Sequence, residues 1–263
     1  MTDSLSDFSK ELFASGGINH DIYRRGSGPA VIVCSEVPGI TPKVADFARK
    51  VSDRGLTAVL PHLFGTPGRA MSPAYAVDTM VKLCISKEFS GLATGRTSPI
   101  IDWLRALARA EHARCGGPGV GAVGMCYTGG FALAMAVDES VLAPVLSQPS
   151  LPFGINRARR ADIQMSGADW AKVQGRTRDE DMCVMGLRFT GDSFVPKERF
   201  ALLREKLGDH FIAIELDSSP GNPYGHPKNA HSVLTEHLQD RDGTPTRAAL
   251  DGVLDFFEQK LHL

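Results

Sequence analysis

The chain has 263 residues, of which 43% are hydrophobic and 22% are charged, so its length allows one large α/β core. Its net charge of −1 gives no electrostatic reason to expect nucleic acid or an anionic membrane as a partner. No apolar run reaches the length of a membrane span, and the five cysteines contain no CxxC pair, which argues against a disulfide framework or a structural zinc site. The first residues lack the pattern of a secretory signal. We therefore expect a cytoplasmic protein, a monomer or small homo-oligomer, without a cofactor or metal.

Strands and helices alternate along the predicted chain. Short apolar runs bounded by turn-forming residues predict strands at 20–25, 30–35, 56–61, 120–125, 141–147, 182–190 and 210–216. Apolar residues at helical spacing predict helices at 42–54, 74–89, 98–113, 196–207 and 246–261. This alternation predicts an α/β fold with a mostly parallel central sheet of about seven to eight strands and helices on both faces.

Residues 148–181 interrupt the alternation. A short helix is expected after Ser166, with Trp170 inside it and six basic side chains around it: Arg157, Arg159, Arg160, Lys172, Arg176 and Arg178. We interpret the segment as an insertion that could act as a lid over one end of the sheet. The alternative is a solvated helix with ordinary surface charges. Because no repeat or linker occurs elsewhere, residues 1–263 are expected to form a single domain.

A cysteine lies at the centre of the most informative stretch, Gly124-Met-Cys126-Tyr-Thr-Gly-Gly130. An apolar strand precedes it and a helix rich in small apolar residues follows, which is the pattern of a nucleophile elbow with a thiol in place of a hydroxyl. The glycines let the strand and helix backbones pass closely, and the turn lifts its apical side chain out of the sheet. A helix that starts directly behind Cys126 would favour its thiolate.

Two alternatives compete with the elbow. Cys126 could be a buried core residue, although the flanking glycines argue against this interpretation. The spacing Gly119-x-Gly121-x-x-Gly124 also matches a dinucleotide-binding fingerprint, with Asp138 and Glu139 near the position of a ribose-binding acid. That fingerprint needs a strand before its first glycine, whereas here the predicted strand lies inside the motif.

A thiol nucleophile needs a base and a third group that orients the base. On a sheet of this kind the three groups occur in the order nucleophile, acid, histidine, on loops that follow strands. Asp192 follows the first strand after the insertion, and His226 and His231 follow the last strand. We favour His231, because the segment after it can pack on the core, whereas His226 lies in a Gly/Pro loop.

Other assignments of these residues remain open at the level of sequence. Asp192 could cap a turn or the following helix, and Asp217 is a competing orienter on the same loop as the histidines. His226, His231 and His237 could form a metal site, but their spacing matches no zinc pattern.

An oxyanion hole is expected from two backbone N–H groups, those of Tyr127, directly after the nucleophile, and of Val37, in the loop after an early strand. Glu36 ends that strand and could point into the same site.

The sequence resembles the dienelactone hydrolases, cysteine enzymes of the α/β-hydrolase fold, from about residue 30 to 261. Five stretches carry the resemblance: Val31-Ile-Val-Cys-Ser-Glu36-Val-Pro-Gly39, Leu60-Pro-His-Leu-Phe-Gly65, Gly124-Met-Cys126-Tyr-Thr-Gly-Gly130, Gly191-Asp192-Ser-Phe-Val-Pro196 and Ala230-His231-Ser232.

The resemblance implies a role for each of four side chains. Cys126 is the implied nucleophile, His231 its base and Asp192 the orienter of the base. Glu36 is the implied acid that contacts the resting thiol and protects it until substrate arrives. The implied substrate is a lactone or ester that carries a carboxylate.

Two positions depart from the family pattern. Thr235 stands where the family commonly has an arginine for the substrate carboxylate, and His62 stands where an aspartate is usual. Arg69, Arg96 or an arginine of the insertion could replace the missing contact. The sequence thus predicts a hydrolase whose partner is a small-molecule ester or lactone. The alternatives are a non-catalytic protein that binds a small ligand and a thiol-dependent acyltransferase.

Overall fold

The computed structural model of the chain describes residues 2–89 and 98–262. Within these residues one sheet has eight strands: β1 (Ser9–Ser15), β2 (Ile18–Gly26), β3 (Ala30–Cys34), β4 (Thr57–Pro61), β5 (Val120–Met125), β6 (Val141–Ser147), β7 (Val184–Phe189) and β8 (Phe211–Leu216). Their order across the sheet is β1-β2-β4-β3-β5-β6-β7-β8. Strand β2 pairs antiparallel with β1 and β4, and all other neighbours are parallel. The predicted mostly parallel sheet is therefore confirmed.

Strand β1 is the one strand of this sheet that the sequence does not predict. Its sequence, Ser-Lys-Glu-Leu-Phe-Ala-Ser, is largely polar, and most of its side chains are exposed. The strand lies at the edge of the sheet and pairs only with β2, so neither of its faces must be apolar throughout.

Helices cover both faces of the sheet, as predicted. They are α1 (Pro42–Ser52), α2 (Pro73–Ile85), α3 (Pro99–Cys115), α4 (Phe131–Met135), α5 (Arg157–Arg160), α6 (Gly167–Asp179), α7 (Lys197–Leu207) and α8 (Pro245–Leu261). Helices α1 and α8 pack on one face, and α3, α4, α6 and α7 on the other. Side chains of β3 alternate between these cores, with Val31 and Val33 toward α1 and α8 and Ile32 and Cys34 toward the opposite face.

Four helices begin in the same way. A serine or threonine precedes a proline at the first helical position of α1, α2, α3 and α8. The hydroxyls of Thr41, Ser72 and Thr244 each accept a backbone N–H of the first turn. Proline tolerates this position because its missing N–H would have no partner within the helix, so these boundaries are encoded locally.

The segment between β6 and β7 contains α5 and α6 and packs against the body of the protein. Ile163, Met165 and Val173 belong to its core. The guanidinium of Arg176, in α6, donates to the carbonyls of Ala136, Asp138 and Val141. These contacts hold the second half of the segment on the sheet.

The carboxyl ends of the parallel strands β3 to β8 lie at one edge of the sheet, where loops of such folds carry their functional groups. Within residues 2–89 and 98–262, no helix combines the length and the apolar character needed to cross a membrane.

Candidate active site

Cys126 lies at the end of β5 with a φ of 55°, a left-handed conformation that a residue with a side chain rarely adopts. Two glycines make this turn possible. A Cβ on Gly124 would lie 2.0 Å from the carbonyl oxygen of Thr128, and a Cβ on Gly129 would lie 2.4 Å from Cα of Pro149. The Thr128 hydroxyl accepts the N–H of Met125 at 3.0 Å and donates to the carbonyl of Cys34 at 2.8 Å, which ties the turn to β3.

The helix after this turn differs from the sequence expectation. A 3₁₀ turn spans Cys126–Thr128, and the α-helix begins only at Phe131 and has five residues. So short a helix aligns few peptide dipoles, so it contributes less to a thiolate than expected.

The glycines of the fingerprint-like motif have packing roles. A Cβ on Gly121 would lie 2.8 Å from the ring of Phe257, and one on Gly119 would lie 2.7 Å from the carbonyl oxygen of Ser140. Strand β5 runs inside the motif, and Asp138 binds Arg109 and the Ser140 hydroxyl. The context that a dinucleotide site needs is not formed.

The side chains of His231 and Asp192, the predicted base and its orienter, are hydrogen-bonded to each other. The ring Nδ1 of His231 donates to Oδ2 of Asp192 at 2.6 Å, and the carboxylate is buried. Its other oxygen accepts the N–H of Phe194 at 2.9 Å, so Asp192 both caps its turn and orients the imidazole. Burial alone would lower the pKa of His231, but hydrogen bonds with Asp192 and the Cys126 thiol outweigh it and raise the pKa well above 6.5.

The competing residues lie elsewhere. Asp217 is exposed and accepts the N–H of Ser219 at 2.8 Å. The buried ring of His226 packs against Phe189, with centroids 5.0 Å apart. Among the residues that the structure describes, no three His, Cys, Asp or Glu side chains form a group that could hold a metal ion.

His237 has a supporting position that the sequence did not indicate. Its Nδ1 accepts the backbone N–H groups of His231 and Ser232, both at 3.2 Å. Burial, together with repulsion from a charged His231, lowers the pKa of His237, which keeps Nδ1 free to accept.

Glu36 is buried beside the site, but its partners differ from those implied by the family resemblance. Its carboxyl accepts hydrogen bonds from the Ser232 hydroxyl at 2.6 Å, the Gln148 amide at 3.2 Å and the Thr235 hydroxyl. The hydrogen bonds of this carboxyl go to these three groups and not to the Cys126 thiol, the contact that the family resemblance implies. Burial raises the pKa of Glu36, although the two hydroxyls oppose this.

Ser150 is a further polar group at the thiol, and no sequence pattern predicts it. Its hydroxyl lies 3.5 Å from Sγ of Cys126 and 3.5 Å from Nε2 of His231. Because Ser150 is 24 residues from Cys126 and 81 from His231, only the tertiary fold reveals this contact.

The two residues expected to form the oxyanion hole lie in adjacent loops. Tyr127 follows Cys126 after β5, and Val37 follows Glu36 after β3. The two strands pair in parallel, with Cys34 opposite Gly124, so both loops leave the same edge of the sheet side by side.

Aromatic side chains pack against two residues next to the thiol, His231 and Tyr127. The ring of Phe194 packs edge-on against His231 at 5.6 Å, and Phe64, Phe89 and Phe131 contact Tyr127 at centroid distances of 5.9 to 6.3 Å. Phe64 and Phe89 also line a cleft of about 310 Å³.

Arg69 and Arg96 are the two arginines outside segment 148–181 that the sequence offers as contacts for a substrate carboxylate. Arg69 lines the cleft beside Phe64 and Phe89, and its guanidinium lies over the ring of Tyr75, 4.1 Å from the centroid. Arg96 falls outside the described residues.

A cysteine on a strained turn after a central parallel strand, with an acid and a histidine on later loops, defines a protein of the α/β-hydrolase class. Within this class the chain belongs to the dienelactone hydrolase family, whose model matches residues 22–261. Family membership supports a hydrolase. No curated protein matches the sequence significantly.

Solved structures share the fold at low sequence identity. The dienelactone hydrolase from Anabaena variabilis is 13% identical, with 97% of this chain and 99% of that chain covered and a TM-score of 0.60. A dienelactone hydrolase-like promiscuous phosphotriesterase from metagenomic libraries is 17% identical, with 97% and 98% covered and a TM-score of 0.59. A cold-adapted esterase from an Arctic intertidal metagenomic library is 14% identical, with 96% and 92% covered and a TM-score of 0.56.

Proposed function

We propose that this protein hydrolyses small esters or lactones through an acyl-enzyme intermediate on Cys126. The observation that carries the proposal is the grouping of three side chains. Sγ of Cys126 and Nε2 of His231 each lie 3.5 Å from the Ser150 hydroxyl, and Nδ1 of His231 binds the buried carboxylate of Asp192 at 2.6 Å. This grouping supplies a nucleophile, a base and an orienter of the base, the set that acyl transfer to a thiol requires.

The reaction would proceed in two halves. His231 Nε2 takes the thiol proton, and Sγ of Cys126 attacks the acyl carbon. The oxyanion accepts the N–H groups of Tyr127 and Val37, and its collapse expels the alcohol, which takes its proton from His231. A water molecule then attacks the thioester with His231 as base, and the thiolate leaves. Asp192 holds the imidazole in place and stabilises its charged form in both halves.

Glu36 would affect the reaction through the segment that carries His231. Two of its partners, Ser232 and Thr235, belong to the segment that carries His231, and its third partner, Gln148, accepts the N–H of Val233 from the same segment at 3.2 Å. We propose that Glu36 anchors this segment and so fixes the position of the base.

The decisive comparison is between wild type and Cys126→Ala on a panel of activated esters and lactones. We expect wild type to turn over at least part of the panel and to release a stoichiometric burst of alcohol before steady state when deacylation is slow. Cys126→Ala should fall to the background rate, and Cys183→Ala, which removes a free thiol far along the chain, should match wild type. Equal, background-level rates for all three proteins would refute the proposal.

A further inference from the structure

The hydroxyl of Ser150 lies between the two groups that exchange a proton. Its Oγ is 3.5 Å from Sγ of Cys126 and 3.5 Å from Nε2 of His231. The side chain is buried, and its hydroxyl also donates to the carbonyl of Gln148 at 3.0 Å. One hydroxyl therefore contacts the nucleophile, the base and a neutral backbone acceptor.

The backbone on both sides of Ser150 is fixed. Its own N–H donates to the carbonyl of Cys126 at 3.0 Å, which joins it directly to the elbow. The buried guanidinium of Arg199 donates to the carbonyls of Pro149 at 2.6 Å and Pro152 at 2.5 Å, one on each side of the serine. With the backbone held in this way, Cα of Ser150 stays beside the elbow, and the hydroxyl hydrogen can turn about the C–O bond.

We propose that Ser150 is a catalytic residue that stabilises the thiolate–imidazolium pair formed by Cys126 and His231. This inference rests on the proposed function and assigns that site a fourth side chain. In the step itself the proton leaves Sγ and binds Nε2, while the electron pair of the S–H bond stays on sulfur. No covalent bond to Ser150 forms or breaks.

The hydroxyl responds to this transfer by rotation. Before it, the hydroxyl donates to the carbonyl of Gln148. After it, the hydroxyl turns to donate to the anionic sulfur, and its oxygen accepts the new N–H of the imidazolium. Both hydrogen bonds become stronger once the sulfur is anionic and the imidazole is cationic. They therefore stabilise the thiolate–imidazolium pair more than the neutral pair.

The residue tested is Ser150, with Ser35 as the matched control. Ser35 is also a buried serine beside the elbow, but its hydroxyl has no hydrogen-bond partner. Hydrogen bonds to charged groups contribute enough that Ser150→Ala should lower kcat/KM by about ten- to a hundredfold. The rate at which iodoacetamide labels Cys126 should fall in parallel, because the thiolate is the reacting species. Ser35→Ala should match wild type in both assays.

A second pair of variants covers the case in which Ser150→Ala does not fold. Ser150→Thr and Ser150→Val have nearly the same shape and differ in the hydroxyl. The threonine variant should label and hydrolyse faster than the valine variant.

The outcomes separate this inference from the proposed function. If Ser150→Ala labels and hydrolyses like wild type while Cys126→Ala is inactive, Ser150 has no such role and the proposed function stands. If no ester is hydrolysed by wild type but Ser150→Ala labels more slowly, the contact with the thiol is supported and the hydrolase proposal fails. If Cys126→Ala stays active and Ser150→Ala does not, Ser150 is itself the nucleophile and both proposals are wrong.

Discussion

The groups proposed to react in this protein are linked to one another by polar residues that no sequence motif marks. Cys126, His231 and Asp192 could be placed in order from the sequence, because each follows a recognisable strand. Ser150, Gln148 and His237 could not, because their roles come from contacts between loops that are distant in the chain.

Two roles are open to Glu36: guarding the thiol, as the family resemblance implies, and anchoring the His231 segment, as its contacts indicate. The two roles predict opposite changes in the rate at which iodoacetamide labels Cys126. If the carboxyl anchors the His231 segment, Glu36→Ala should slow iodoacetamide labelling of Cys126, because a displaced His231 pairs less well with the thiolate. A carboxyl that guards the thiol would give the opposite result, faster labelling. Each hydroxyl left unpaired in the buried site should cost about 1–3 kcal/mol, so unfolding in urea should also move to lower concentration.

A matched control for this experiment lies on the same segment. Glu236 is a partly exposed glutamate that pairs with Lys43 at 3.4 Å. Glu236→Ala removes one carboxylate without touching the buried network, so its labelling rate and stability should stay close to those of wild type.

His237 predicts a pH-dependent contribution to stability. Its pKa is lowered from the ordinary 6.5 by burial, so the two bonds to Nδ1 stabilise the fold above that pH and are lost as pH falls through the lower, folded-state pKa. At pH 8, His237→Ala should reduce the free energy of unfolding by about 1–3 kcal/mol, the value of two neutral hydrogen bonds.

Urea unfolding of wild type and His237→Ala at a series of pH values measures this effect. The difference between the two proteins should narrow as the pH is lowered, because wild type then loses the same bonds. His210→Ala is the control, since His210 is partly exposed and only faces Asp181, itself exposed, at 3.4 Å. If the difference in free energy of unfolding between wild type and His237→Ala does not change with pH, the two hydrogen bonds to Nδ1 are not the source of the stability that His237 provides.

At the scale of elements, the sequence predicts the strands and helices whose residues themselves determine the structure. Seven strands and the longer helices were found from periodicity, and proline after a serine or threonine marks four helix starts. Strand β1 was missed because edge pairing, rather than an apolar face, holds it in the sheet. Helix α4 begins at Phe131 and not directly behind Cys126 as expected, since small apolar residues favour a helix but do not determine where it begins.

The close packing of the elbow can be tested at Gly129, with Gly175 in α6 as the control. Gly129→Ala would place a Cβ 2.4 Å from Cα of Pro149, so the backbone that carries Ser150 would have to shift. We expect a loss of about 1–3 kcal/mol in stability, as for other overpacked sites, together with lower esterase activity. Gly175→Ala, in the middle of α6 with nothing near its Cβ, should instead gain about 0.5–1 kcal/mol. Thermal unfolding of both variants tests the contrast.

At the scale of the whole molecule, one buried arginine joins three loops at the active-site edge. Arg199, fully buried in α7, donates to four carbonyls of segment 148–181, two of which flank Ser150, and to one carbonyl of the Asp192 loop: Pro149, Pro152, Arg159, Asp162 and Phe194. Burial lowers its pKa to about 10, so the guanidinium stays charged at neutral pH. Because its hydrogen bonds go to five carbonyls and not to a carboxylate, Arg199 holds the loops of the site together and is not part of an ion pair.

Residues 148–181, which the sequence predicts as an insertion or lid, are thus held at two places, by Arg199 in the first half and by Arg176 in the second. We expect Arg199→Met to increase amide hydrogen exchange over residues 149–163 and to leave α6 protected, because Arg176 still holds that helix. Esterase activity should fall with it, since Ser150 and the Asp192 loop lose a common anchor. Arg204→Met, which removes an exposed guanidinium from the same helix, should change neither property. If exchange instead rose uniformly from 148 to 181, the segment would move as one lid, and the two arginines would not anchor it independently.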